Sequence, residues 1–481
     1  MSTLNRASED FRWILTGDIK KSVWRLSLPL IPGIFGLIFM DLLDSFLVLQ
    51  MTPADLLALS LSVPISNGLF AIAIGFNITV AAIIGRWRGE RSTRDLTKEL
   101  ANLLHANFII VLAISTLCVI AIRYSELLGF RISDNNILSD YLTLRFSNFI
   151  FFTIIMTAAT VFRSWGDTMA TGRLLLSWLS CKATASILSV AIFHVDLIEL
   201  GFIQLFSDSI FAAYSILLLR RMYDFKFATA KNRLVANTKK LAIAAMPAVS
   251  VNLIAPIALA ATAQLFYNHG EAATAAFGII IRLESILLIA PMIFTASIPT
   301  LIGHNYFASN KERCQGILRH ALFTVIWIQL LIAGLVYSYS DSIFNLLGLQ
   351  TEATTILICF FKIVPFSYTG LGAILIVVSA LNAMQNAKIA LIFTLVRTVI
   401  IYLPIVVVGN QLAGIEGIFF GFFISNILAA SLAWHMLNRH WATETVSVNI
   451  VTKKKDTTKT NVSRPIEKSR DSLLTGGLSN F

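Results

Sequence analysis

Nine ionisable side chains sit inside long apolar runs of this chain: Asp41, Asp44, Arg145, Lys182, Asp208, Arg282, Glu284, Lys362 and Arg397. At membrane depth such a group costs at least a few kcal/mol, so each must face protein or a wet cavity. Asp41 and Asp44 are three residues apart, which on a helix puts them about 60° from one another on a shared face. Two carboxylates this close disfavour each other's ionisation, as a proton-exchanging carrier requires. The competing reading is structural: Asp41 and Asp44 pair with Lys182 or another buried base and hold a bundle together. Arg282 and Glu284, two apart, point to different faces and each needs its own partner. Together with Asn77, Asp208 and Lys362 they are candidates for lining a substrate cleft, against packing glue or, for Lys362, snorkelling to the membrane edge. Pro29, Pro32, Gly33 and Gly36 crowd one helix with the two aspartates. They predict either a gating bend or a static kink there.

The elements that must position these groups follow from composition. Of 481 residues, 56% are hydrophobic and 14% charged, a balance that excludes a soluble enzyme, a disordered chain and a collagen-like fibre. The expected fold is an all-α polytopic membrane protein. Twelve apolar spans are read at 24–47, 57–85, 101–122, 141–162, 172–193, 200–219, 241–267, 273–303, 320–338, 355–381, 389–408 and 415–436. The implied domains are an N-terminus (1–23), a first six-helix lobe (24–219), a basic linker (220–240), a second lobe (241–437) and a disordered tail (438–481) containing Lys453, Lys454 and Lys455. Of the 38 Lys and Arg residues, 31 fall on one side of such a topology, two (Arg123 and Arg131) on the other, and five within spans. The positive-inside rule then places both termini in the cytoplasm. The net charge of +11 reads as topology and contact with membrane lipids, not nucleic acid.

Negative signals narrow the function. The four cysteines have no C-x-x-C spacing, the seven histidines have no metal-ligand spacing, and residues 1–22 do not read as a removable signal peptide. No Walker, G-x-G-x-x-G, H-E-x-x-H or G-x-S-x-G motif occurs. No cofactor, metal or enzymatic activity is therefore expected.

The halves resemble one another at an offset of 218. Pro29 maps to Pro247, Ile84-Gly85 to Ile302-Gly303, and Gly166-Asp167-Thr168 to Met384-Gln385-Asn386. Six spans per half is even, so the repeat is parallel, about an axis along the membrane normal, with a cleft between the lobes.

Several segments resemble the multidrug and toxic compound extrusion (MATE) transporters of the MOP flippase superfamily. They are Leu26-Ser27-Leu28-Pro29 with Asp44-Ser45-Phe46-Leu47-Val48; Phe277 to Glu284, then Pro291, Leu301 to Asn305 and Lys311-Glu312-Arg313; Arg163 to Thr168; and Arg397 with Pro404, Gly414 and Gly417. The likeness runs from about residue 20 to residue 437. It implies secondary active export by alternating access, often of organic cations, driven by protons or sodium, with Asp44 as the coupling acid and Pro29 as the bending proline. It also implies a multidrug or xenobiotic efflux antiporter acting as a monomer in a bacterial inner membrane. Lys182 stands where many relatives have Asn, Ser186 where one branch has Asp, and spans 7 and 10 lack an acid. These departures favour H+ over Na+ and suggest an Asp44–Lys182 pair. A flippase for a lipid or lipid-linked saccharide is the alternative reading within the superfamily. An intramembrane transferase is the reading from another class, and it lacks a clustered catalytic set.

Overall fold

The computed structural model describes residues 12–90, 96–124, 136–223, 231–346 and 352–462, and every regular element among them is a helix. In lipid, a helix satisfies its own backbone hydrogen bonds, as no open sheet can. Residues 12–431 belong to one compact unit; the described part of a second, 432–462, is helical throughout.

The first half contains α1 (Ile19–Val48), α2 (Pro53–Gly89), α3 (Leu96–Arg123), α4 (Asn136–Trp165), α5 (Thr168–Phe193) and α6 (Leu197–Tyr223). The second half starts with α7 (Lys231–Tyr267), then α8, which is Glu271–Leu287 and Ile289–Phe307 bent by 47°. α9 (Lys311–Leu346) and α10 (Glu352–Ala383) follow. The last apolar helix, Ala387–Arg439, breaks at Ala413 and at Gly414, whose φ is 58°. The break makes it two crossings, α11 and α12, for twelve in all. A Cβ on Gly409 or Gly417 would overlap the other's carbonyl oxygen, so only glycine lets the two arms lie this close.

Local chemistry sets the helix starts. Asp18 caps α1 by accepting from the Lys21 N–H (2.9 Å), and Asp167 caps α5 from the Ala170 N–H (2.8 Å). Thr52 and Asp55 form a reciprocal capping box at α2. α6 runs to Tyr223 and α7 from Lys231, so the described parts of the basic linker expected at 220–240 are helical. Likewise, helical backbone extends to Val462, past the expected tail boundary at 438. Helices outlast their apolar stretches because their hydrogen bonds need no core. Residues 224–230 and 463–481 lie outside the described residues.

The repeat is visible in the contacts. α2 packs on α7 and α8, and α1 packs on α8. A Cβ built on Gly85 would lie 3.4 Å from the Cα of Gly303, and one on Gly89 would meet Phe307. Both pairs keep the offset of the sequence repeat. Equivalent residues touch only on the axis that relates them, so a pseudo-two-fold axis passes between α2 and α8.

Around that axis the hydrogen bonds pair up as well. On one side Thr300 Oγ1 donates to Arg163 O (2.9 Å), and His304 Nε2 lies 2.8 Å from Ser164 O. On the other, Arg86 donates to Gln385 Oε1 (3.3 Å), and Gln385 donates to Ala82 O (3.4 Å). The turns receiving these contacts close alike, with Asp167 N–H to Phe162 O and Asn386 N–H to Leu381 O, and with Gly166 and Gln385 at positive φ. These turns stand one position further apart than the glycines on the axis. The ungapped pairing of Gly166 with Met384 is thus one residue out, because an extra residue enters between Gly303 and Gln385.

Candidate functional site

The first half gathers its polar groups from four helices. α6 supplies Asp208, fully buried, whose Oδ2 accepts from Lys182 Nζ of α5 (2.8 Å) and Asn148 Nδ2 of α4 (2.7 Å). Its Oδ1 accepts from Trp178 Nε1 of α5 (2.6 Å). One turn before Asp208, Gln204 Nε2 donates to Asp44 Oδ1 of α1 (2.8 Å). Asp44 is half-buried within this cluster, and Arg145, Lys182 and Asp208 all act on it electrostatically. Asp41, one turn away on α1, is exposed while still within the field of Asp44, Arg145 and Lys182.

Lys182 therefore pairs with Asp208, not with Asp44 as the sequence suggested. Its ammonium finds a carboxylate that two further donors already fix in place, while Asp44 is held by a neutral amide. With every group ionised, Asp41, Asp44 and Asp208 set against Arg145 and Lys182 leave one net negative charge. A single proton would neutralise it.

α1 is pinned beside this cluster. Leu28–Leu30 forms a 3-10 turn around Pro29, and Pro32 sits in the first turn of the helix that follows, Ile31–Val48. A Cβ on Gly172 of α5 would overlap the Pro29 carbonyl oxygen, and Gly33 faces Leu175. The prolines and glycines of α1 thus build a tight α1–α5 contact at an irregular turn. Leu30 and Ile34 of α1 also pack on Ile293 of α8, linking the aspartate helix to the other half.

The other predicted positions separate. Asn77 is buried and accepts from Thr157 Oγ1 (3.0 Å), which in turn accepts from Asn107 Nδ2 (2.9 Å). This chain ties α2, α4 and α3 together inside the lobe, away from the cleft. Lys362 pairs with Asp341 of α9 (2.9 Å), both half-exposed. Glu284 lies beside the Tyr368 hydroxyl and within the field of Arg397, inside the second half. Arg397 lies in a π-helical stretch, Val396–Tyr402, and the Tyr402 hydroxyl is 3.1 Å from Thr262 Oγ1. Arg282 points the other way and is exposed, as expected for residues two apart.

The halves are hydrogen-bonded to one another at one end, and the sequence expects the cleft toward the other. Seven hydrogen bonds are described between 12–223 and 231–431: the four around the axis, Ser27 to Ser297 (2.8 Å), and Asn305 and Arg313 to Ile14 O. All lie toward the end where the turns after α2, α4, α8 and α10 gather. Toward the other end the facing helices carry exposed polar and small residues, Ser60 and Asn67 on α2 and Gly278, Arg282 and Ser285 on α8. Asn67 lies about five helical turns before Gly85 and so shares the face that α2 presents to α8. The offset of the repeat carries Asn67 onto Ser285 and Ser60 onto Gly278. A Cβ at Gly68 or Gly278 would meet nothing within 4 Å. A separate cavity of about 330 Å3 lies between α3, α4 and α6, lined by apolar residues such as Val111, Ile154 and Leu219 with Asn107 and Thr157 at its wall. It carries none of the charged groups.

Gln204, Asn148, Trp178 and Tyr368 were not singled out in the sequence. The signal was present for three of them. Gln204/Asp208, Arg145/Asn148 and Trp178/Lys182 are spaced four, three and four apart like Asp41/Asp44, so each helix offers the cluster one polar face.

Comparison with known proteins agrees with this geometry. The MatE family model matches residues 29–182 and 247–408, two blocks whose starts, at Pro29 and Pro247, are the first landmark of the repeat. An FAD transporter of Shewanella oneidensis is 27% identical over 440 residues, covering 90% of this chain and 97% of that protein. A crystal structure of a mutant Vibrio cholerae MATE transporter, VcmN, superposes with a TM-score of 0.83 at 23% identity, covering 89% of this chain and 98% of the other. A MOP superfamily transporter from Pyrococcus furiosus, whose binding pocket is described as reversed in polarity, gives 0.79 at 18% identity over 90% and 97%. With twelve crossings in two six-helix lobes and a family match over about two thirds of its length, this multi-pass membrane protein belongs to the MatE family of transporters.

Proposed function

We propose that this chain is a proton-driven exporter of an amphipathic organic molecule, working by alternating access with the substrate in the cleft between the lobes. The observation that carries the reading is Asp44: a carboxylate deep in the first lobe, held by the Gln204 amide and lacking a cation of its own, with exposed Asp41 one turn away. A proton passing from the cleft by way of Asp41 to Asp44 removes the cluster's surplus negative charge, the state that a low-dielectric interior tolerates best. Because α1 also packs on α8, a change in α1 reaches the contact between the lobes. By the distribution of Lys and Arg, the joined end is cytoplasmic, so the cleft faces outward, where a proton enters. The prolines of α1 then serve as its gating turn, and the domain limits at 24–219 and 241–437 mark the moving bodies. The similarity to an FAD transporter makes a flavin nucleotide the first substrate to test.

Purified protein in vesicles, loaded with FAD and exposed separately to pH and sodium gradients, tests the reading. Efflux should follow the pH gradient, ignore sodium, and disappear in Asp44→Asn. Sodium-driven efflux, or undiminished pH-driven efflux in Asp44→Asn, would overturn it.

A further inference from the structure

The exposed face of α8 carries Thr274, Gly278, Arg282 and Ser285, spaced four, four and three apart, and so forms one stripe along the helix. Its composition does not suit acyl chains. Arg282 lies about three turns into α8, on the order of 16 Å from the helix start at about 1.5 Å per residue, near the middle of a bilayer. A guanidinium at that depth needs water or an anion beside it. Among the described residues Arg282 makes no ion pair and no hydrogen bond. Its nearest acid in sequence, Glu284, turns inward to Tyr368 and Arg397. Across the axis, the equivalent of Arg282 is Pro64, a residue without a polar side chain. Arg282 therefore brings to the α8 wall a positive charge with no described partner, with open space beside Gly278. Asn67 and Ser285 supply neutral donors on the two facing helices.

We infer that Arg282 is the anion-recognition residue of the cleft, taking a phosphate or similar oxyanion of the exported molecule in a forked, charge-assisted hydrogen bond while its apolar part lies along α2 and α8. This rests on the cleft being the substrate path, and it adds the charge of the substrate. The arrangement selects an amphipathic anion over an organic cation, since a cation would have to displace or endure the guanidinium.

The test is equilibrium binding to detergent-purified protein with no gradient, which does not depend on proton coupling. The probes are FAD and riboflavin, which share the flavin ring but only one of which bears phosphates. Wild type should bind FAD more tightly than riboflavin, and the preference should weaken as salt rises. Arg282→Gln should weaken FAD binding about tenfold or more and leave riboflavin binding unchanged, the latter also reporting an intact fold. Arg282→Lys, which keeps the charge but not the fork, should fall between. Asp44→Asn should lose pH-driven efflux yet keep FAD binding, so failure of the coupling reading is told apart from failure of this one. Equal losses for both flavins, no effect of Arg282→Gln, or no preference for the phosphate-bearing probe in wild type would each refute the assignment.

Discussion

The Lys182–Asp208 pair allows a quantitative test of how the first lobe is built. Asp208 has no exposed surface and accepts from three donors on two helices: Lys182 and Trp178 of α5, and Asn148 of α4. Asp208→Leu strands a buried ammonium and leaves the Trp178 and Asn148 donors empty, which should destabilise the protein by about 3–5 kcal/mol. Lys182→Met is milder. The carboxylate keeps two donors, so the loss is nearer that of one charged hydrogen bond, about 1.5–3 kcal/mol. In the double variant no charge is stranded. Its destabilisation should fall short of the sum of the single variants by at least about 2 kcal/mol. Equilibrium unfolding in mixed micelles of the four proteins gives the cycle. Additivity within about 0.5 kcal/mol would refute the pairing. A second cycle on Lys182 and Asp44 separates this arrangement from the pair that the sequence suggested: the larger coupling should be with Asp208. Lys182→Met should also retain some pH-driven efflux, because the contact between Asp44 and Gln204 survives it.

Lys362→Gln should change neither efflux nor, by more than about 1 kcal/mol, stability, because its pair with Asp341 is half-exposed; a large loss of transport would return Lys362 to the cleft. Thr157→Val breaks the chain from Asn107 to Asn77 and should cost about 0.6–1.7 kcal/mol in thermal or denaturant unfolding with FAD binding unchanged. With the four native cysteines replaced by serine, Gly85→Cys with Gly303→Cys should crosslink under mild oxidation, since a Cβ on one lies 3.4 Å from the Cα of the other. The crosslink should stop efflux until a reductant is added; efflux that persists through the crosslink would rule out lobe separation at this point.

Much of this architecture was legible in the sequence because lipid enforces a simple grammar of apolar length. The twelve crossings and the parallel repeat follow from it, and two of the three repeat landmarks mark special places. Gly85 and Gly303 match because each is the other's neighbour across the axis, where a Cβ on one reaches the backbone of the other at 3.4 Å. The third landmark was misaligned by one because a single insertion leaves no trace in three unlike residues. Side-chain partners were the least legible. Asp44 and Asp208 are both acids in spans, and nothing in one chain says which lies beside α5. That choice is made by helix neighbours: α5 packs on α6 as well as on α1, and only contacts in space decide which carboxylate Lys182 meets. The cleft candidates divided for the same reason. Asp208 and Asn77 face inward to satisfy other polar groups, whereas Arg282 bonds to none among the described residues.

The two lobes share a scaffold but not a charge pattern. The hydrogen bond from Asn148 to Asp208 between α4 and α6 has its counterpart between α10 and α12, where Asn426 Nδ2 donates to Ser367 Oγ (3.0 Å). Allowing for the one-residue insertion, Asn148 falls on Ser367 and Asp208 within one residue of Asn426, so a hydroxyl stands in the place of the amide and an amide beside that of the carboxylate. Asp44 corresponds to Thr262, which is hydrogen-bonded to its own helix and 3.1 Å from the Tyr402 hydroxyl. Lys182 falls opposite Ile400 or Ile401. The second lobe thus keeps the helix contacts but carries no carboxylate, lysine or arginine at these equivalent positions, and its own buried acid, Glu284, sits on a different helix with Arg397 and Tyr368. On the proposed reading, a proton alters α1 and finds nothing to alter at the equivalent place in α7. One lobe can then bend about Asp44 without a matching event at the equivalent place in its mate, and the contact at Gly85 and Gly303 is where the lobes must part when that single event is passed on.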